Sequence, residues 1–172
     1  MGLMPQDIVV LLKIIASKDQ KWSLASLANE IGLSASQVHY AINRCIESRL
    51  LVSHDGSVKP MIANTEEFLL HGVKYMFPPE RGEQTRGIPT IWAGPPLKKY
   101  FRSNDLPPVW PDAEGQAKGF SFEPIHKSAV VGAKKDPQLY ELLVLLDALR
   151  DGRARERNMA VEMLKEKLKE FS

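Results

Sequence analysis

One short helical segment carries side chains that are well suited to reading nucleic acid. In "SASQVHYAINRCIESR", residues 34–49, one side of the predicted helix is an apolar stripe: Val38, Ile42, Cys45 and Ile46. The opposite side is polar and consists of Ser36, Gln37, Tyr40, Asn43 and Arg44. Asparagine and glutamine pair bidentately with adenine, arginine pairs with guanine, and serine or tyrosine contacts phosphate or the thymine methyl group. These residue types at this spacing predict contact with the major groove of double-stranded DNA.

Other kinds of chemistry have little support in the sequence. Cys45 is the single cysteine and lies in the apolar stripe, so we expect a small buried side chain without a disulfide. The four histidines show no metal-ligand spacing, and neither a G-x-S-x-G nor an H-E-x-x-H motif is present. We therefore expect a protein that is not an enzyme and that holds neither a metal nor a cofactor.

The elements that must position the polar helix have clear local signals. A first helix follows Pro5, and a second, "LASLANEI", has Ser23 as its N-cap and Gly32 as its stop. Ser34 and Gln37 have the spacing of a capping box and begin the third helix, Ser34 to Arg49. The dipeptide Asp55-Gly56 then predicts a tight hairpin between two short strands. Three helices followed by a hairpin are the element order of a winged helix.

Residues 24–51, "LASLANEIGLSASQVHYAINRCIESRLL", resemble the helix-turn-helix of winged-helix transcription regulators such as the MarR and Lrp groups. The resemblance is carried by Ala28 and the apolar positions of the first helix, by Gly32 and Leu33 in the turn, and by Ser34, Ser36, Val38 and Ile42 in the second helix. It covers residues 1–62 and implies that the second helix enters the major groove while the hairpin touches the adjacent minor groove or backbone. We therefore predict two groups of DNA contacts: bases read by Gln37, Asn43 and Arg44, and backbone held by Ser34, Ser36, Tyr40 and Lys59.

Three features depart from the pattern of that family. Arg49 stands where family members usually have a glycine before the hairpin, and Asp55 occupies the hairpin tip where a basic residue is expected. Residues 1–62 hold six basic and five acidic residues, so this part of the chain is nearly neutral. DNA binding would therefore depend on local placement of charge rather than on net charge.

The rest of the chain has weaker signals. A capped helix is expected to begin at Asn64 and Glu67 and to end before Pro78. Eight of the twelve prolines lie between residues 78 and 111, interleaved with apolar side chains, which predicts an ordered, loop-rich segment without long regular elements. In "PQLYELLVLLDALR" apolar residues almost encircle the predicted helix, so we expect it to be buried, with a partner chain as one way of covering it.

Two arginine clusters leave alternatives open. Arg81 and Arg86 lie among glycines, in a segment predicted to be a surface loop, with anion binding as the alternative. A second cluster falls near the start of the last helix, where positive charge opposes the helix dipole: Arg150, Arg153, Arg155 and Arg157. This placement fits an acidic or phosphate-bearing partner, while a solvated helix face is the alternative.

Together the sequence predicts a mainly α fold with a small β-wing. We expect a winged helix over residues 1–62, a capped helix and an ordered proline-rich segment over 63–136, and a C-terminal helical hairpin over 137–172. The predicted function is a sequence-specific DNA-binding transcriptional regulator, a homodimer in the cytoplasm without a membrane span or export signal. The alternative is an adaptor or antitoxin-like protein that binds a protein partner through residues 65–172, with a winged helix that is autoregulatory or binds no DNA. A net charge of +2 argues against a protein that coats nucleic acid nonspecifically.

Overall fold

The first sixty residues fold into three helices and a hairpin in the computed structural model, which describes residues 2–171. The elements are α1 (Pro5–Ser17), α2 (Leu24–Ile31), α3 (Ala35–Glu47) and the antiparallel strands β1 (Leu51–His54) and β2 (Ser57–Pro60). The predicted order of three helices and a hairpin is confirmed. Residues 1 and 172, the outer ends of the first and last predicted regions, lie outside the described residues.

Local signals set the ends of these elements as the sequence predicts. The Ser23 hydroxyl accepts a hydrogen bond from the Ser26 N–H at 3.1 Å and so caps α2. Gly32 ends α2 in the left-handed conformation, with φ 69°. Asp55 and Gly56 both have positive φ angles, 50° and 76°, which the tight hairpin turn requires.

The helix that follows the hairpin starts before its predicted cap. It consists of α4 (Ile62–Glu67), a π-helical segment (Phe68–Gly72) and α5 (Val73–Met76), which run on without a break. The predicted start at Asn64 is wrong, because the Asn64 amide instead donates to the Arg49 carbonyl oxygen at 2.9 Å. The Thr65 hydroxyl likewise donates to the Leu50 carbonyl oxygen at 3.0 Å, so this turn ties α4 to the chain after α3.

The proline-rich middle forms a small β unit. Its strands are β3 (Arg81–Pro89), β4 (Pro108–Pro111) and β5 (Ala117–Phe122). β3 pairs antiparallel with both others, while β4 and β5 pair in parallel. The prediction that prolines exclude long regular elements here is wrong, as is the surface loop predicted around Arg81 and Arg86, because the prolines flank the nine-residue β3 instead of interrupting it.

The chain ends with three helices: α6 (Lys127–Lys135), α7 (Pro137–Asp151) and α8 (Ala154–Lys169). α7 and α8 are the two helices predicted over 137–172 and pack against each other, while α6 precedes them at the end of the predicted 63–136 region. α7 is buried as predicted, and the chain itself covers it, because α1, α5, α6 and α8 all pack against it. α6 also packs on α2, where Gly132 lies directly against Ile31 and Leu139. The N-terminal and C-terminal helices therefore share one hydrophobic core, and the fold is mainly α with a small β part. None of the helices in residues 2–171 has the length and apolar character needed to cross a bilayer.

A histidine caps α6 and should make stability depend on pH. The His126 Nδ1 accepts the Ser128 N–H at 3.1 Å, which requires that nitrogen to be unprotonated. Burial, helped by the charge of Lys127, lowers the pKa of His126. Because the folded pKa is below the unfolded one, this stabilisation is present above about pH 6.5 and is lost as the pH falls through the folded pKa.

His126→Asn replaces the cap with one that does not titrate. Between pH 7.5 and pH 5, wild type is expected to lose about 1 kcal/mol more unfolding free energy than the variant, as urea denaturation measures. Parallel losses in both proteins would contradict this assignment.

Candidate nucleic-acid interface

The turn between α2 and α3 holds the N-terminal end of α3 in place. Ser34 and Gln37 form the predicted capping box: the Gln37 N–H donates to the Ser34 hydroxyl at 3.1 Å, and the Ser34 N–H donates to Gln37 Oε1 at 2.8 Å. Gly32 packs against Val131 of α6, so a helix from the C-terminal half of the chain also holds the turn. The N-terminal end of α3 is therefore anchored by its own caps and by α6.

Helix α3 presents a polar face to solvent. Val38, Ala41 and Cys45 are buried, whereas the opposite side is exposed: Ser34, Ser36, Gln37, His39, Tyr40 and Asn43. Tyr40 has 59% of its surface exposed. The predicted outward orientation is confirmed for Ser36, Gln37, Tyr40 and Asn43.

Arg44 is the exception, and its predicted outward orientation is wrong. Its guanidinium turns back to the carboxylate of Asp7 in α1, with Nε to Oδ2 at 2.7 Å and Nη2 to Oδ1 at 2.8 Å. The Asp7 side chain is completely buried, and the Arg44 side chain is only 12% exposed. This hydrogen bond raises the pKa of Arg44 and makes it a structural cation that does not face a groove.

The exposed residues differ in how many polar atoms they leave free. The Ser34 hydroxyl and the Gln37 carbonyl are engaged in the cap, so Gln37 offers its amide N–H groups. The Asn43 Nδ2 lies 3.2 Å from the His39 Nε2, which leaves the Asn43 carbonyl and one N–H for a ligand. An asparagine in this state retains both atoms of a bidentate contact with adenine.

A groove of about 1150 Å³ separates α3 from the hairpin and from the loop between α1 and α2. Of the seven predicted contact residues it brings together Asn43 and Lys59; the other exposed ones lie nearer the N-terminus of α3. Lys21, on the loop side of the groove, was missed by the sequence analysis because it belongs to no motif. Lys21 and Lys59 thus add two cations to the groove beside α3.

The groove also carries negative charge. Asp55 at the hairpin tip lies 3.3 Å from the His54 Nε2, and Lys18 is paired with Glu170 at 2.9 Å. Asp19 lines the same groove. The groove as a whole is therefore close to neutral, so attraction of a phosphate backbone would depend on Lys21 and Lys59 rather than on the overall field.

Two residues that the sequence singled out have structural roles. Burial raises the pKa of the Cys45 thiol to about 12, so Cys45 is a buried, unreactive side chain, as predicted. Arg49, which stands where the resembled family has glycine, adopts φ 63°. This left-handed conformation is the one that glycine favours, so the backbone follows the glycine pattern although the residue does not.

Comparison of the chain with protein-family models, with curated proteins and with solved structures finds no match.

Proposed function

We propose that this protein is a sequence-specific DNA-binding transcriptional regulator and that α3 enters the major groove. The observation that carries the proposal is the exposed polar face of α3, which lies between a capped N-terminus and an exposed hairpin. A helix that enters the major groove contacts base edges mainly through its N-terminal residues, and here Gln37 is the base-reading residue among them. On this proposal α1–α3 with β1 and β2 form a winged helix.

The contacts are assigned from the free polar atoms. Asn43 and the amide of Gln37 read bases, while Ser36, Tyr40, Lys59 and Lys21 hold the phosphate backbone. Arg44 is left out because its guanidinium already has two hydrogen bonds to Asp7. Ser34 contributes through its cap, which fixes the first turn of α3.

Dimeric binding to paired half-sites is part of the proposal and rests on the resemblance alone. The apolar perimeter of α7, which had suggested an association surface, is covered by other helices of the same chain. For the same reason, the adaptor alternative cannot be tested with a fragment of residues 65–172. Such a fragment would expose the face of α7 that α1 covers, and its insolubility would not indicate a partner.

The test uses full-length protein and a pool of random duplexes, enriched by rounds of binding. The enriched duplex is then titrated by fluorescence anisotropy at two salt concentrations. We expect selective binding that weakens with salt, and Asn43→Ala should weaken it by about 1–3 kcal/mol, roughly 5- to 150-fold. Tyr40→Ala should also weaken binding, but equally for all sequences if Tyr40 holds the backbone.

Two exposed residues that are remote from α3 in the sequence serve as matched controls for Asn43 and Tyr40. Asn158→Ala changes an exposed asparagine of α8, and Tyr75→Ala changes a tyrosine that is 77% exposed at the end of α5. Both should bind the selected duplex within twofold of wild type. A pool that yields no enriched sequence, or equal binding by Asn43→Ala and wild type, would refute the assignment of α3 as the reading helix.

A further inference from the structure

A cleft beside the start of α8 brings three arginines next to two aromatic rings. We call it the α8 cleft; its volume is about 410 Å³, and its walls include Trp92, Phe101, Arg102, Arg153 and Arg155. Trp92 and Arg153 also line an adjoining depression of about 260 Å³. The cleft is thus built from the loop after β3 and from the first turn of α8.

The arginines of the α8 cleft are not neutralised by the fold. Within residues 2–171, the side chains of Arg102 and Arg153 make no hydrogen bond or ion pair, and both residues are exposed. The Arg155 guanidinium carbon lies 5.8 Å from the centroid of the Phe101 ring, an interaction that leaves its charge unpaired. The single carboxylate in the wall is Glu156, whose Oε1 accepts the Arg153 N–H at 2.8 Å. Three arginines and one glutamate leave a charge of +2 on the cleft.

Folding does not account for this placement of charge. Positive side chains in the first turn of a helix oppose its dipole, so Arg153 and Arg155 cost stability where they are. By contrast, Arg81 in the adjoining depression has a structural partner, since its Nε donates to Asp151 Oδ2 at 2.7 Å. A bound anion would offset the unfavourable interaction of Arg153 and Arg155 with the helix dipole. Arg81 needs no such anion, because Asp151 already neutralises it.

The rings of Trp92 and Phe101 allow the α8 cleft to bind an aromatic ring by stacking, in addition to an anion. Trp92 and Phe101 are half-buried, with part of each ring open to the cleft. The Trp92 indole N–H makes no hydrogen bond to any part of residues 2–171 and remains a donor for a ligand. Stacking on such rings is tolerant of ring type and contributes to the binding of nucleic-acid bases.

We propose that the α8 cleft binds a small phosphorylated aromatic molecule, with a nucleoside monophosphate as its simplest common form. The phosphate, a dianion, would pair with Arg102, Arg153 and Arg155, and the ring would stack on Trp92 and Phe101. The volume of the cleft falls within the range of about 300–1,000 Å³ that small-molecule sites occupy. The cleft shares no residue with the groove beside α3, so this proposal does not depend on DNA binding.

Isothermal titration calorimetry of the full-length protein tests the proposal. The probes are the four common nucleoside monophosphates, with the matching nucleosides and inorganic phosphate as the two halves of the ligand. We expect at least one monophosphate to bind at least tenfold more tightly than either of its halves. Arg153→Gln and Arg102→Gln should each weaken this binding at least tenfold, and because both residues are exposed neither variant should unfold at a lower temperature than wild type. Arg157→Gln, one turn further along α8 and outside the cleft, should bind within twofold of wild type.

Three results would overturn the proposal. The first is the absence of binding by all four monophosphates at millimolar concentration. The second is binding that Arg153→Gln and Arg102→Gln leave unchanged. The third is a single-stranded oligonucleotide that binds at least a hundredfold more tightly than any monophosphate, because the cleft would then be part of a nucleic-acid track.

Discussion

Asp147→Ala is expected to lower the free energy of unfolding by about 3–5 kcal/mol, because it leaves the buried Arg150 guanidinium without its carboxylate partner. The Asp147 carboxylate lies in α7 and accepts three hydrogen bonds: from the Thr90 hydroxyl at 2.6 Å, the Trp110 indole N–H at 2.8 Å and Arg150 at 3.1 Å. Thr90 and Trp110 belong to the β3–β5 region, so this one side chain joins the β unit to α7. Without it, the buried guanidinium of Arg150 keeps two main-chain carbonyls as hydrogen-bond acceptors, those of Phe77 and Glu123.

Urea denaturation at pH 8 measures this loss. Burial raises the pKa of Asp147 to about 6, against the attraction of Arg150 and the hydrogen bonds from Thr90 and Trp110, so the carboxylate is charged at that pH. Asp151→Ala is the matched control on the same helix, since the Asp151 side chain is half-exposed and its pair with Arg81 lies at the surface. The control should lose less than about 1 kcal/mol. Equal losses in the two variants would show that the buried cluster does not hold the β unit on α7.

The N-terminal elements were predictable from the sequence because short-range interactions set their ends. The Ser23 cap and the Ser34–Gln37 capping box join residues only three positions apart, and Gly32 acts through its own backbone preference. The exposed face of α3 was predictable for a related reason, because helical periodicity alone separates Tyr40 and Asn43 from the buried stripe.

The β unit could not be predicted in this way because its pairing is long-range. Arg81 of β3 pairs with Phe122 of β5, forty-one positions later, and local sequence propensity cannot predict a contact over that distance. Close backbone approach adds to this: a Cβ at Gly87 or Gly119 would overlap the main chain of Trp110 or Pro107. In the sequence these glycines, with the neighbouring prolines, indicate loops, whereas in the fold they let the three strands pair with one another.

Arg44 was misassigned because its partner is remote in the sequence. Asp7 and Arg44 are 37 positions apart, and helical periodicity places the Cα of Arg44 near the edge of the polar face without showing where its side chain turns. Lys21 was missed for the opposite reason. It lies in a loop without periodicity, and only the folded chain brings it to the groove beside α3.

Arg44→Ala is therefore expected to destabilise the fold by about 3–5 kcal/mol, and not to relax DNA sequence preference at one base pair. The variant leaves the Asp7 carboxylate completely buried, and among residues 2–171 its remaining hydrogen-bond donor is the Met4 N–H at 2.8 Å. Urea denaturation measures the loss. Arg157→Ala, at an exposed position of α8, is the control and should change stability by less than about 0.5 kcal/mol.

The double variant Asp7→Ala, Arg44→Ala removes both charges of the buried pair together. It therefore distinguishes a role of Arg44 in folding from a role in base recognition. It should be more stable than Arg44→Ala by about 2 kcal/mol, because no unpaired carboxylate remains buried. At a temperature where it is folded, it should bind the selected duplex within twofold of wild type, whereas Asn43→Ala should not. If instead the double variant is folded but has lost selectivity at one base pair, the Arg44 guanidinium leaves Asp7 on binding and reads that base.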